Sequence, residues 1–372
     1  MHQPPIAVIG GGLTGALTAL LLADAGKSVV LFDHRSPYAA SDHNPGGINP
    51  LHGPAIGQGY ADLYSQAFER HQELQQRLAP QQHAAPWLYR TIDRLFLAFT
   101  EAEEAELEAM APRYDRAGFS ASLLKPDQIA ARDPRLSREA RRGLWTHGNV
   151  TVDAPVYAAS IRQAALAHGV RWQPERVERL LVDGERVRAV VTTQQSLVVS
   201  AVVVAAGCWS QELLDPLGVC AGLLQPVKGE MLLLELPASQ ALTFDVTHGL
   251  RGFYQHRDHQ YWLGGTRSDP AQAAGPTEAG GDHILSGIRR MLPGLPLQAG
   301  SIVAHTAGYR PSTADGLPVV GPVAPYDNLV LAGGGGSKGV LLSSWLATMA
   351  SRLLAGGSPD IPDRFLPRSA AA

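Results

Sequence analysis

Ile6-Ala-Val-Ile-Gly-Gly-Gly-Leu-Thr-Gly15 is the stretch that decides the expected fold of this chain. The apolar run Ile6–Ile9 predicts a buried strand, and the apolar positions after Gly15 recur at helical spacing until Gly26. Residues 28–32 form a second strand-like run, which ends at Asp33. The order of strand, Gly-x-Gly-x-x-Gly, helix, strand and acidic residue is the dinucleotide-binding fingerprint of an α/β fold.

Each glycine of this motif has a separate physical role. Gly10 permits the tight turn, Gly12 lets a pyrophosphate approach the backbone, and Gly15 lets the helix pack closely on the strand. The pyrophosphate would lie at the helix N-terminus, where unpaired N–H groups bind anions. Asp33 would accept hydrogen bonds from a ribose. The residues predicted to contact the nucleotide here are Gly10, Gly12, Leu13, Thr14, Gly15, Asp33, His34 and Arg35. A turn that merely joins strand to helix is the alternative, and the motif alone does not separate NAD from FAD.

Composition limits the classes of protein that need considering. The 372 residues include 31 Lys and Arg against 34 Asp and Glu, a net charge of −3, which gives no electrostatic reason to expect nucleic acid or anionic lipid as a partner. The length allows about two domains. Cys208 and Cys220 are the only cysteines, so we expect neither a disulfide framework nor a cysteine-built zinc site. The histidine spacings show no metal-binding pair.

The chain also shows no membrane or export signal. No apolar run approaches the ~20 residues of a spanning helix. The first strand begins almost at once, without a leader segment. We therefore expect a cytoplasmic protein without a transmembrane segment.

The remaining patterns predict a nucleotide-binding unit that is interrupted by a different sheet. Helices are predicted at 60–78, 101–110, 154–168 and 340–355, with residues 101–110 presenting a solvated acidic face. Strands are predicted at 176–182, 186–192, 196–204 and 329–332, of which 196–204 is apolar enough for a buried parallel strand. Residues 226–304 are rich in strand-like runs typical of an antiparallel sheet. The predicted domains are 1–90 with 140–225 and 305–372, for the nucleotide, and 91–139 with 226–304, for the substrate.

Further motifs occur in one fixed order along nearly the whole chain. They are the N-terminal fingerprint, Pro45-Gly-Gly47, Ala206-Gly-Cys-Trp-Ser210, Pro226-Val-Lys-Gly229, Gly265-Thr266, Gly308-Tyr-Arg-Pro311, Asp315-Gly-Leu-Pro-Val-Val-Gly321 and the glycine-rich turn 333–339. Taken together they resemble the D-amino-acid-oxidase-like family of FAD-dependent oxidoreductases, most closely its branch of glycine-oxidase-like and sarcosine-oxidase-like enzymes.

The resemblance implies a noncovalently bound, extended FAD whose isoalloxazine ring lies between the two domains. A hydride would pass from the substrate carbon to flavin N5, giving an imine that hydrolyses, with O2 or a quinone as final electron acceptor. The cofactor contacts that it implies beyond the fingerprint are Asn44, Gly46, Gly47, Ile48, Val177, Ala206, Gly207, Trp209, Gly308, Arg310, Gly334, Gly335, Gly336, Ser337, Lys338, Gly339 and Val340.

Three side chains are candidates for binding the substrate. Arg310 matches the family position whose guanidinium pairs with a substrate carboxylate, a task for which its planar fork is suited. Tyr254 matches an aromatic residue able to offer a hydroxyl to the same carboxylate. Arg267 stands where glycine-oxidase-like chains carry an apolar residue, which suggests a second acidic group or a larger polar substrate. A structural salt bridge, sheet packing and a surface position are the respective alternatives.

The turn at 333–339 supports flavin chemistry on physical grounds. A helix N-terminus with exposed amides would stabilise the negative charge of a reduced flavin. Lys338 would add positive charge there, unless it faces solvent. A flexible turn is the alternative for the glycine run.

The predicted substrate is therefore a small amine or amino acid. One alternative is an FAD-dependent oxidase or dehydrogenase of a 2-hydroxy acid or polyol phosphate, since a carboxylate clamp serves both. Another is a flavin subunit of a hetero-oligomeric or RNA-modifying enzyme. A homo-oligomer is compatible with all of these.

Overall fold

The computed structural model describes residues 3–49, 61–78, 90–116, 119–271, 273–297 and 300–369. The predicted helix start at Tyr60 lies outside the described residues.

The strands form three sheets in the described part of the chain. In chain order they are β1 (Ile6–Ile9), β2 (Val29–Phe32), β3 (Arg90–Ala98), β4 (Ala121–Leu124), β5 (Arg142–Thr151), β6 (Arg171–Gln173), β7 (Val177–Asp183), β8 (Arg186–Thr192), β9 (Ser196–Val198), β10 (Ala201–Val204), β11 (Gln225–Glu235), β12 (Phe244–His248), β13 (Arg251–Gln255), β14 (Gln260–Gly264), β15 (Ile302–Ser312), β16 (Val319–Pro322) and β17 (Leu329–Gly333).

Helices cover the sheets and connect their strands. They are α1 (Leu13–Asp24), α2 (Ala61–Leu78), α3 (Glu101–Arg116), α4 (Pro126–Arg132), α5 (Ala154–Ala167), α6 (Ser210–Leu214), α7 (Glu278–Met291) and α8 (Gly339–Ala355). Asp153 caps α5 as its sequence predicts, because its carboxylate accepts a hydrogen bond from the amide of Val156. Among the described helices, none has the length and apolar character needed to cross a bilayer.

The first sheet has the order β16-β17-β10-β1-β2-β6, and its pairings are parallel except for the edge strand β16. Both faces of its central strands are buried, which explains their unbroken apolar sequences. The carboxyl ends of β1, β2, β10 and β17 lie along one edge. In open α/β sheets such an edge is where ligands bind.

The prediction of one strand over residues 196–204 is wrong. The chain changes sheets at residues 199–200: the amide of Val199 donates to Arg188 in β8, and the amide of Ser200 donates to Pro5 before β1. β9 therefore belongs to the antiparallel sheet β7-β8-β9, whereas β10 joins the parallel sheet. Apolar residues stand on both sides of Ser200, the polar residue at the change, so the run resembles a single strand.

The second large sheet has the order β15-β11-β14-β13-β12-β3-β5-β4. Its pairings are antiparallel apart from β12 with β3. The prediction of an antiparallel sheet within residues 226–304 is confirmed for β11, β13 and β14. The mixed α/β architecture with one parallel and one largely antiparallel sheet is thus as predicted.

The division into domains stays a prediction. β5 and β15 fall in segments assigned to the nucleotide-binding domain, yet both hydrogen-bond into the eight-stranded sheet. Long strands can cross from one unit into the other in this way, so a boundary drawn from composition does not coincide with sheet membership.

Helix α2 holds the first turn of α8 in place. The buried ring of His71 bonds the carbonyls of Val340 and Leu341 through Nε2, both at 2.9 Å, and the hydroxyl of Tyr157 through Nδ1, also at 2.9 Å. Burial lowers the pKa of His71 to about 4, so the ring is neutral at ordinary pH. The hydroxyl of Ser344 adds a bond to the carbonyl of Ala67.

We predict that His71 makes the protein acid-sensitive. Its folded-state pKa of about 4 lies below the ordinary 6.5, so its neutral ring contributes stability above pH 6.5 that is lost as the pH falls toward 4. A shift of this size corresponds to roughly 3 kcal/mol. Urea unfolding at fixed FAD concentration should show the stability gap between wild type and His71→Gln closing by about this amount from pH 7.5 to 4.5. The exposed His283→Gln serves as control, and a gap independent of pH would contradict the assignment.

Candidate functional site

A cavity of about 980 Å³ lies at the carboxyl ends of the parallel strands. Its lining includes Gly10 after β1, Asp33 after β2, Ala206 after β10 and Gly335 after β17. It continues to the face of the eight-stranded sheet that carries Tyr254 and Arg310. The volume is at the upper end of ligand pockets.

The N-terminus of α1 opens into this cavity without a neutralising acid. Gly12 is its N-cap and offers no side-chain acceptor, and the first turn holds no Asp or Glu. The hydroxyl of Ser41 accepts the hydrogen bond of the Leu13 amide at 3.0 Å. The helix dipole therefore presents positive potential to the cavity, as an anionic phosphate requires.

The close packing behind this turn depends on its other glycines. A Cβ on Gly15 would lie 1.8 Å from the carbonyl oxygen of Gly10, so only glycine lets α1 approach β1. Gly10 itself has φ +104°, a conformation that favours glycine. A Cβ on Gly11 would lie 2.8 Å from Oδ2 of Asp33, so this third glycine leaves room for the acidic side chain.

A second helix N-terminus, that of α8, reaches the same cavity. Its first turn also lacks an acidic residue, and the N-cap Lys338 makes no capping bond. The sequence did not predict whether Lys338 lies at this turn or faces solvent. The amino group is buried without a hydrogen-bond partner and lies 5.3 Å from the ring centroid of Tyr64. Burial, and secondarily the charge of Arg94, hold the pKa of Lys338 well below its ordinary value.

Most of the residues singled out from the sequence line this one cavity. They are Gly10, Gly12, Leu13, Thr14, Asp33, His34, Asn44, Gly47, Val177, Ala206, Gly207, Trp209, Tyr254, Arg267, Arg310, Gly335, Gly336, Ser337, Lys338, Gly339 and Val340. Segments from both ends of the chain thus meet at one place, as the motif order implies.

The others lie behind the lining, and several have evident packing roles. A Cβ on Gly46 would lie 1.7 Å from the carbonyl oxygen of Val152, and one on Gly308 would lie 2.8 Å from Cβ of His43, so both glycines serve the approach of neighbouring backbone. Ile48 is fully buried in the core. The remaining residues outside the lining are Gly15, Gly334 and Arg35, the last of which lies 3.6 Å from Asp42.

Arg310 lies flat over a glycine of the neighbouring strand. β11 and β15 pair so that Val227 faces Arg310 and Gly229 faces Gly308. A Cβ on Gly229 would lie 2.1 Å from Nη2 of Arg310, so the guanidinium occupies the space that this glycine leaves. Nη1 donates to the carbonyl of Thr266 at 3.1 Å. No carboxylate among the described residues pairs with Arg310, and burial, together with Arg267, lowers its pKa.

The side chain of Tyr254 also lies over a glycine. A Cβ on Gly252 would lie 2.1 Å from Cζ of the tyrosine, so the ring folds over this glycine toward the cavity. Burial raises the pKa of Tyr254, which keeps its hydroxyl protonated and able to donate.

A buried ion pair supports Tyr254 and was not found from the sequence. Arg94 of β3 pairs with Asp245 of β12 at 2.8 Å, and its guanidinium carbon lies 5.4 Å from the ring centroid of Tyr254. Burial alone would lower the pKa of Arg94, but the Asp245 carboxylate raises it above its ordinary value. A charged residue inside the apolar run of β3 was the available signal.

Glu103 and His248 form a second feature that the sequence reading missed. Glu103 accepts hydrogen bonds from the amides of Phe99 and Thr100 at the start of α3, and from His248 at 2.8 Å. Burial alone would raise its pKa, but these donors lower the pKa of Glu103 to about 2. Both residues line the cavity, so the predicted solvated face of this helix is incomplete. The Thr-x-x-Glu capping box was the available signal.

The donor set of the cavity fits FAD. Two helix N-termini without an acidic residue in their first turns suit its pyrophosphate and the pyrimidine edge of its flavin, and Asp33 suits a ribose. The lining also holds buried polar atoms without a protein partner, namely Lys338 Nζ, Thr247 Oγ1 and His248 Nδ1. Such atoms are expected where a ligand completes the hydrogen bonding. Among the described residues, no cluster of three metal-ligating side chains occurs.

Comparison with known proteins agrees with this reading of the site. Residues 5–353 match the family model described as FAD dependent oxidoreductase, DAO. The glycine oxidase of Pseudomonas aeruginosa is 29% identical over 360 residues, which cover 96% of each chain.

Two solved structures share the fold over nearly the whole chain. Iminodiacetate oxidase from Chelativorans sp. BNC1 superposes with a TM-score of 0.87 at 22% identity, covering 99% of this chain and all of that one. Glycine oxidase from Geobacillus kaustophilus gives a TM-score of 0.87 at 22% identity, with both chains fully covered. With the cavity and its two helix N-termini, these matches lead to one conclusion: the chain belongs to the DAO family of FAD-dependent oxidoreductases.

Proposed function

We propose that the chain oxidises the C–N bond of a small amine or amino acid whose carboxylate is bound by Arg310 and Tyr254. The buried guanidinium of Arg310, which no carboxylate of the described residues neutralises, carries the proposal. A buried cation without a counterion calls for an anionic ligand, and a guanidinium suits a carboxylate in two-pronged geometry. The glycine oxidases and the iminodiacetate oxidase that the chain resembles are named for substrates of this kind.

FAD, when bound, supplies the hydride acceptor for the carbon next to the substrate nitrogen. The chain's own residues hold the carboxylate and set the charge state of the amine. Arg310, Arg267 and Lys338 line one cavity without carboxylate partners among the described residues. The positive charges of Arg310 and Arg267 disfavour a further cation nearby, so a bound ammonium group loses its proton more readily than in water. A neutral amine, whose lone pair stabilises the developing imine, is the form that can lose a hydride.

Further properties complete the proposal. We infer noncovalent FAD, reoxidation by O2 or a quinone, a cytoplasmic location, a possible homo-oligomer and no nucleic-acid partner. Both cysteines are buried, and burial raises the pKa of Cys208 to about 12, which leaves that thiol unreactive.

Anaerobic reduction of the bound flavin tests the reaction class. Glycine, N-methylglycine and both alanine enantiomers are compared with glycolate, lactate and glycerol 3-phosphate. We expect bleaching by at least one amine and by none of the hydroxy compounds. If only the hydroxy compounds reduce the flavin, the proposed C–N oxidation is wrong and the protein oxidises C–O bonds. If activity appears only when a co-purifying subunit is added, the protein is an accessory flavin subunit.

Arg310→Leu should weaken binding of the carboxylate. Losing one partner of a buried, hydrogen-bonded charge pair costs about 2–5 kcal/mol, so we expect KM for an oxidised amino acid to rise by roughly 30-fold or more. Arg310→Lys should recover only part of this loss, since an ammonium cannot form the two-pronged pair. Steady-state kinetics with the flavin spectrum as control measure both. An unchanged KM would remove Arg310 from the site.

Gly229→Ala tests how Arg310 is positioned, without changing any charge. The added Cβ would lie 2.1 Å from Nη2 of Arg310 and displace the guanidinium. We expect KM to rise by about tenfold or more, while FAD content is retained. Gly275→Ala is the matched control, because its Cβ would make only an ordinary contact of 3.8 Å. Equal effects of the two substitutions would count against the role of Gly229.

Gly12→Val should give folded protein without yellow colour. Its Cβ would contact only the Ser41 side chain, with Oγ at 3.0 Å, so the backbone can persist while the branched side chain fills the helix N-terminus. Gly15→Ala, whose Cβ would lie 1.8 Å from a carbonyl oxygen, should lose fold and flavin together. Circular dichroism and flavin absorbance distinguish the two outcomes. A flavin-loaded Gly12→Val protein would contradict the proposed pyrophosphate site.

A further inference from the structure

Arg267 is a second cation at the substrate end of the cavity. It follows Thr266, whose carbonyl accepts the hydrogen bond from Arg310. After burial, the positive charge of Arg267 is the next cause that lowers the pKa of Arg310. Its side chain is largely exposed and lines the cavity. No ion pair within 4.0 Å holds it among the described residues, although Glu103 and Glu106 line the same cavity.

The backbone that carries Arg267 is fixed from both sides. The amide of Glu230 donates to Oγ1 of Thr266 at 2.8 Å. Ser268 exchanges two backbone hydrogen bonds with Lys228, at 2.9 and 3.1 Å. The segment is thus tied to β11 beside Gly229, the residue over which Arg310 lies. Arg267 therefore starts from backbone that is fixed close to Arg310.

Among the described charged side chains at this end of the cavity, one cation has no anionic partner once the substrate carboxylate is bound. Arg94 is paired with Asp245, whereas neither Arg310 nor Arg267 has a carboxylate partner among the described residues. The proposed function supplies one negative charge for these two groups, namely the substrate carboxylate at Arg310. The positive charge of Arg267 acts unfavourably on that of Arg310, and an anion beside either guanidinium relieves this repulsion. Arg267 is the group that has no assigned anion.

We propose that the substrate carries a second carboxylate, which Arg267 binds at the cavity mouth while Arg310 binds the first. This inference rests on the proposed function and narrows it to amines with two carboxylates joined by a short linker. Because the mouth is partly exposed, the second contact contributes less than the first, on the order of tenfold in affinity.

Matched substrates test the preference directly. Iminodiacetate is compared with N-(carbamoylmethyl)glycine, in which one of its two carboxylates is replaced by an uncharged amide. D- and L-aspartate are compared with D- and L-asparagine in the same way. We expect kcat/KM to be about tenfold or more higher for the dicarboxylate in at least one pair, and the ratio to shrink as salt is added. Arg267→Gln should bring this ratio close to one. Arg171→Gln, which removes an exposed charge on β6 outside the cavity lining, should leave the ratio unchanged.

A binding measurement separates this inference from the proposed function. Thiodiacetate and its monoamide carry sulfur in place of nitrogen and cannot be oxidised as amines, so their dissociation constants are read from the perturbed flavin spectrum. We expect tighter binding of thiodiacetate, by about tenfold, that is lost in Arg267→Gln. Oxidation of monocarboxylated amines with no preference for a second carboxylate overturns the inference alone. Flavin reduction by no amine, together with selective thiodiacetate binding, overturns the proposed reaction and leaves the dicarboxylate site standing.

Discussion

Two helix N-termini that meet at one cavity are the constraint on which the rest of the structure depends. α1 follows the first strand of the parallel sheet, and α8 follows a strand more than three hundred residues later. They share one apolar core, and neither brings an acidic side chain to its first turn. Each dipole therefore presents positive potential to the same cavity, which suits a ligand with a pyrophosphate near one helix and a ring that gains negative charge near the other.

The sequence was most informative where a short segment has only one physical solution. The fingerprint predicted β1, α1 and β2 and the acidic residue after them, because tight turns and close packing restrict those positions to glycine. The burial of Lys338 and the pair of Arg94 with Asp245 could not be predicted in this way. Both depend on segments far apart in the chain, and local pattern does not show which cations become buried.

The substrate end illustrates a different limit. Arg310 and Tyr254 were singled out by their match to a family, yet what places them is the empty space over Gly229 and Gly252. That relation follows from strand register and side-chain direction, which neither composition nor spacing specifies. The break after β9 was missed for a related reason: apolar residues occur on both sides of it, and one polar residue at the change, Ser200, is too weak a signal to predict a new sheet.

The pairing of β1 with β10, and of β10 with β17, also has a consequence for synthesis of the protein. β1 can pair with β2 as soon as both are synthesised, but its other neighbour is β10, which in turn pairs with β17 near the end of the chain. The parallel sheet is therefore completed only when nearly the whole polypeptide has been synthesised, and such distant contacts close slowly. Loading of the cofactor is then necessarily a late event that follows near-completion of translation, and C-terminally truncated chains would remain colourless.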